Sequence, residues 1–155
     1  MQIEVVEGDL LDQKVEAIVN PWNRNRIPWW LLLPHGVSGA IKRRAGLEPF
    51  RELARMGPLA LGDAVATGAG KLPFKQITHV ASIDLFWNSS SSAVQTSTIN
   101  ALKLAEQLGL NSLAFPILGA GSGRLSPQAA EEMMLQTFAD MDSSLAVKLV
   151  RYRPN

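Results

Sequence analysis

A short apolar run that breaks into glycines and restarts as a helix constrains this chain more than any other stretch. Leu113 to Leu118 has the length and composition of a buried strand. Gly119, Gly121 and Gly123 follow at alternate positions, with Ala120 and Ser122 between them and Arg124 behind. Ser126 and Pro127 then supply a cap residue and a first-turn proline for an Ala/Met-rich helical pattern. Strand, glycine loop and helix start in this order suit an anionic ligand. Glycines let the backbone approach it, and unpaired N–H groups at the helix start face its charge. The same residues also suit a tight strand-to-helix turn that holds nothing. Gly-Ala-Gly-Ser-Gly-Arg lacks the lysine and Ser/Thr of a nucleotide-phosphate loop, which argues against a triphosphatase or kinase-like enzyme.

The remaining pattern alternates strands and helices. Gln2 to Val6 alternates polar and apolar as a half-buried strand does, and Gly8-Asp9 breaks it before one helical turn over Leu10 to Lys14. Val15 to Val19 predicts a second strand, stopped by Asn20-Pro21. Helices are expected from Gly36 to about Ala45 and from Pro49 to Met56. Asp63 to Thr67 and Gln76 to Ser82 predict two strands joined by a hairpin loop around Gly68 to Pro73. The serines from Ser89 to Ser92 cap a long helix ended by Gly109, with Val94, Thr98, Ala101, Leu102, Ala105 and Leu108 as its apolar stripe. A helix from Pro127 to Asp140 and a strand from Ala146 to Tyr152 complete the pattern. These elements predict an α/β fold with helices on both faces of a mixed sheet. Ligands in such sheets gather beyond the carboxyl ends of strands. Asp9, Asn20, Asn23, Gly119 to Gly123 and Tyr152 all fall there.

Composition narrows the partners. At 155 residues the chain fits a single domain spanning 1–155 with a sizeable core. A formal net charge of +1 argues against a partner held mainly by charge, such as bulk nucleic acid or an acidic membrane. Any phosphate ligand must therefore be held largely by backbone amides. Cysteine is absent and only His35 and His79 are present, so neither a thiolate nucleophile nor a metal site is expected, and no cofactor is implied. Met1 leads straight into a strand pattern, and the most apolar stretch, Ile27 to Leu33, is far shorter than the roughly 20 residues of a membrane span. A soluble, cytoplasmic protein is expected.

Four motifs in order carry a resemblance that covers nearly the whole chain: Gly8-Asp9-Leu10, Ala17-Ile18-Val19-Asn20-Pro21-Trp22-Asn23, Gly36-Val37-Ser38-Gly39-Ala40-Ile41, and Ala114-Phe115-Pro116 with its glycine loop. Together they resemble the macro domain family. The resemblance implies a three-layer α/β/α sandwich around a central mixed sheet, binding ADP-ribose or an ADP-ribosylated macromolecule. In some family members it extends to hydrolysis of ADP-ribosyl or O-acetyl-ADP-ribose linkages. Asp9 would then accept a hydrogen bond from the exocyclic amine of adenine, since a carboxylate only accepts. Its alternative role is to cap the turn that follows. Gly8 and Leu10 flank it in the same motif. Asn23 would hold the distal ribose hydroxyls with an amide that both donates and accepts. Asn20 belongs to the same pattern or is a turn-former. Gly36, Val37, Ser38 and Gly39 would offer amides to the diphosphate from one side, and Gly119, Ala120, Gly121, Ser122 and Gly123 from the other. Tyr152 would cover the adenine, or is an ordinary strand-end aromatic.

Two departures bear on chemistry. Between Asn23 and Gly36 many family members are glycine-rich, whereas this chain carries two prolines and the run Trp29-Trp30-Leu31-Leu32-Leu33. That run is expected either in the core or as a lid or contact surface. Where the hydrolase branch usually has aspartate, this chain has Ser38, which is no carboxylate base at neutral pH. The aromatic that often ends the phosphate loop is replaced by Gly123 or a neighbour. In a hydrolase, water would attack the anomeric carbon with Asn23 fixing the sugar and His35 moving a proton. Lys42-Arg43-Arg44 fan around a helix axis and so cannot share one target, which suggests a solvated face. The alternative function is a single-stranded nucleic-acid binder stacking bases on Trp22, Trp29 and Trp30 beside arginines.

Overall fold

A computed structural model describes residues 1–24, 36–83, 90–119 and 125–153. The strands are β1 (Gln2–Gly8), β2 (Ala17–Trp22), β3 (Ala64–Thr67), β4 (Gln76–Ala81), β5 (Ser112–Pro116) and β6 (Ala146–Tyr152). The helices are α1 (Gly36–Ala45), α2 (Glu48–Ala54), α3 (Ser91–Gln107) and α4 (Pro127–Asp140). One sheet runs in the order β1-β6-β5-β2-β4-β3, parallel throughout except for β3, which pairs antiparallel with β4.

Alternation along each strand divides the core in two. Ile18 and Trp22 of β2, with Ile77 and Ala81 of β4, face a layer built from Ile41 and Ala45 of α1 and Phe50 and Leu53 of α2. Ala17 and Val19, with Val80, Leu113, Phe115 and Leu149, face Val94, Ala101 and Leu102 of α3 and Met134 and Phe138 of α4. Helices on both faces of a mostly parallel sheet give the three-layer sandwich the pattern implies. Phe115 and Phe138 meet at 5.3 Å between ring centroids on the second face. Each fully buried ring of this kind contributes about 1.5–3 kcal/mol.

Local signals set the helix starts. Ser126 accepts from the Ala129 amide at 3.1 Å and starts α4, and Ser90 does the same for α3 through Ala93. Gly109, at φ +71°, follows the end of α3. The stripe expected on α3 is buried from Val94 to Ala105, but Leu108 stands exposed because it caps the helix beyond its last full turn.

The second strand is displaced from its expected bounds. It begins at Ala17 and runs through Asn20-Pro21 to Trp22. Pairing with β5 ends at Ile18, so beyond that residue β2 has β4 as its single strand partner and tolerates the missing N–H of Pro21. The turn after β1 is a short 3-10 segment over Leu10–Asp12, and α2 ends at Ala54 before the expected Met56. Among the described residues no helix is long and apolar enough to cross a membrane.

Candidate functional site

Because β1, β2, β4, β5 and β6 are parallel, their carboxyl ends open on one end of the sheet. Gly8 and Tyr152 are register partners there, and the Arg153 amide donates to the Gly8 carbonyl at 2.9 Å. Asp9 follows directly. Its Oδ1 accepts from the Leu11 amide at 2.9 Å and caps the 3-10 turn, while Oδ2 lies 4.0 Å from the Arg44 guanidinium. The Leu10 side chain is buried in the core, whereas Tyr152 is 76% exposed. The structure therefore brings Gly8, Asp9 and Tyr152 together at one corner.

The next strand end is built by α1. Gly36, its first residue, has φ +67°, a left-handed backbone with open space around it, so conformation and not crowding favours glycine. Val37 and Ser38 are half-buried and Gly39 is buried. Ser38 Oγ donates at 2.7 Å to Asn20 Oδ1 and lies 3.1 Å from the Pro21 carbonyl. These contacts seat the amino end of α1, the positive end of its dipole, on the carboxyl half of β2. Asn23 is 3% exposed just beyond that strand. Gly119 follows β5 at the same end of the sheet with φ +81°. His35, Ala120, Gly121, Ser122, Gly123 and the Trp29 to Leu33 run lie outside the described residues.

Asn20 is fully buried and both ends of its amide are engaged. Its Oδ1 takes the Ser38 proton, and its Nδ2 is 2.9 Å from His79 Nδ1, the residue opposite it on β4. His79 Nε2 is 2.8 Å from Thr67 Oγ1 on β3, which lies 2.9 Å from the Gly68 carbonyl. The Phe50 ring stands edge-on to the imidazole, with centroids 5.9 Å apart. Burial pushes the His79 pKa down to about 3, so the ring is neutral. Sequence reasoning gave His79 no role here. Its one signal was a polar residue at an inward position of an apolar strand, and Asn20 carries the same signal on β2.

Two surface readings change. Trp22 is buried against Phe50 at 5.3 Å between centroids, so it is not an exposed base-stacking platform. The basic triplet does fan apart, but Lys42 is not simply solvated. Its ammonium sits 5.3 Å from the Trp22 ring centre and 5.1 Å from that of Phe50, and burial holds its pKa below the usual lysine value. Arg44 instead pairs with Asp12 at 3.1 Å. Among the described residues no cluster of three His, Asp or Glu side chains could hold a metal ion.

Comparison with known proteins agrees with this architecture. An O-acetyl-ADP-ribose deacetylase of an Enterobacter species is 35% identical over 147 residues, covering 90% of this chain and 78% of that protein. An uncharacterized protein of Mycobacterium tuberculosis is 32% identical over 135 residues, but the match spans 36% of its length, so there the shared unit is part of a longer chain. Among solved structures, a variant Oceanobacillus iheyensis macrodomain with ADPR is 27% identical with a TM-score of 0.82, covering 96% of this chain and 83% of that one. The profile of the Macro domain matches residues 19–134. Four separated motifs, the six-stranded sheet between two helical layers and the profile match lead to one conclusion: this chain belongs to the macro domain family.

Proposed function

We propose that this chain, acting over residues 1–155 as one macro domain, binds ADP-ribose, free or attached to a macromolecule. The observation that carries the reading is the seating of the amino end of α1 on the carboxyl half of β2, at the sheet end where Asp9 also emerges. A helix start offers unpaired N–H groups to a diphosphate, and an acceptor-only carboxylate suits the adenine amine. In this reading the amides of Gly36 to Gly39 hold one side of the diphosphate and those of Gly119 to Gly123 the other. Asp9 Oδ2 reads adenine, since Oδ1 is spent on the Leu11 amide. Tyr152, beside Gly8 and largely exposed, covers the purine face. Asn23 holds the distal ribose. A near-neutral chain needs such amide donors to bind a dianion.

The deacetylase relative supports a second activity at the same site, hydrolysis of an ADP-ribosyl or O-acetyl-ADP-ribose ester. At an ADP-ribosyl linkage, water would attack the anomeric carbon of the distal ribose and break its bond to the oxygen of the modified group, which leaves with the electron pair, while Asn23 fixes the sugar and His35 carries the water's proton away. Neither role needs a metal or a cofactor in this reading, and the location we assign is the cytoplasm. Titration calorimetry with ADP-ribose, ADP and GDP tests the binding reading: ADP-ribose and ADP should bind and GDP should not. Release of product from O-acetyl-ADP-ribose and from mono-ADP-ribosylated protein separates a hydrolase from a binder. Equal affinity for GDP would remove Asp9 from the purine site.

A further inference from the structure

With the Asn20 amide placed Nδ2 toward His79 and Oδ1 toward Ser38, the hydrogen bonds joining Gly68, Thr67, His79, Asn20 and Ser38 run in one direction. A carbonyl accepts and never donates, so the Thr67 hydroxyl gives its proton to the Gly68 oxygen at 2.9 Å. Thr67 Oγ1 must then accept from His79 Nε2 at 2.8 Å, which places the ring proton on Nε2. A neutral imidazole has one N–H, so Nδ1 is bare and accepts from Asn20 Nδ2 at 2.9 Å. The other end of the amide turns Oδ1 toward Ser38, whose hydroxyl has two inward acceptors, Asn20 Oδ1 at 2.7 Å and the Pro21 carbonyl at 3.1 Å. Thr67, His79 and Asn20 are all buried, so reversing any one member would leave a lone pair facing a lone pair without water to repair it.

We propose that His79 is a positioning residue for the ligand end of the fold: through Asn20 it holds the first turn of α1, where the Ser38 proton turns inward to the Asn20 and Pro21 oxygens and the Ser38 oxygen meets a ligand as an acceptor only. This rests on the reading of α1 as a diphosphate-holding helix. A serine whose proton is already given away does not donate to a phosphate oxygen. It accepts instead from a ribose hydroxyl or a bound water. The chain crosses three strands, so the ligand turn is held from the β3–β4 hairpin.

Thr67 tests this because it lies on β3, two strands from Asn20 on β2 and out of reach of the ligand turn itself. Thr67→Val keeps the shape and removes the acceptor of the His79 proton, whereas Thr67→Ser keeps it. ADP-ribose affinity should fall about tenfold in Thr67→Val and stay within about twofold of wild type in Thr67→Ser. Amide exchange at Ala40, Ile41 and Lys42, whose N–H groups close the first turn of α1, should accelerate in the valine variant alone. A nitrogen-15 spectrum of wild type should show His79 protonated on Nε2, a readout that needs no variant to fold. An Nδ1-protonated ring, or a valine variant with wild-type affinity and exchange, would overturn the proposal. Wild type that fails to bind ADP-ribose overturns the ligand reading, and the ring spectrum with the exchange rates still judges His79.

Discussion

Asp9 divides one carboxylate between folding and recognition. Oδ1 caps the turn over Leu10–Asp12, and Oδ2 is left beside an exposed guanidinium 4.0 Å away, a pairing worth little in water. Asp9→Asn separates the two jobs. It keeps an oxygen for the Leu11 amide, and aspartate and asparagine cap about equally well, so stability should change by less than about 0.5 kcal/mol. Its NH2 group would face the adenine amine, donor against donor, and calorimetry should show ADP-ribose binding at least about tenfold weaker. Unchanged affinity would mean that this side chain is only a cap. Gly36 is a second position where a single residue decides. With φ +67° and nothing near its missing Cβ, Gly36→Ala should cost about 1 kcal/mol through backbone conformation alone, read as a lower melting temperature.

At the scale of elements, what depends on near neighbours was legible and what depends on distant ones was not. Ser126-Pro127 and the serines before α3 marked their helix starts because a cap is a contact between residues three apart. Ser126→Ala should therefore lower stability by about 1 kcal/mol with the fold intact, measurable by urea denaturation. The extension of β2 through Pro21 was not legible, because it depends on how far β5 accompanies that strand. Nor was the engagement of Asn20 with His79, which exists because two strands far apart in sequence lie in a register that sets these residues opposite each other. The hairpin between β3 and β4 is tied to α1 in the same unreadable way. Lys71 donates its amide to the Ala45 carbonyl at 2.9 Å, and a Cβ on Gly70 would stand 2.2 Å from that oxygen. Gly70→Ala, also at φ +59°, should cost more than about 2 kcal/mol, well beyond the loss of a cap.

For the whole molecule, the buried imidazole makes stability depend on pH. Its folded pKa, about 3, is below the value of about 6.5 it takes in the unfolded chain, so between those limits the unfolded state binds the extra proton. Stability should thus be full above pH 6.5 and fall on acidification toward pH 3, with a slope approaching about 1.4 kcal/mol per pH unit from this group. Between pH 6.5 and 5, where most carboxylates stay ionised, urea denaturation of wild type against His79→Gln should isolate the effect. A parallel pH dependence in both proteins would mean that the ring is accessible to protons in the native state.

The layered α/β/α architecture was legible from the order of apolar periods and caps, and so was the end of the sheet where the candidate site lies. Which polar groups turn inward there required the sheet itself. Among the described residues its first strand pairs with the sixth alone, Gln2 with Ala146 at one end and Gly8 with Tyr152 at the other. The corner beside Asp9 is thus built from strands more than a hundred residues apart and forms only once β6 has docked on β1, whereas α1 seats on β2 without either.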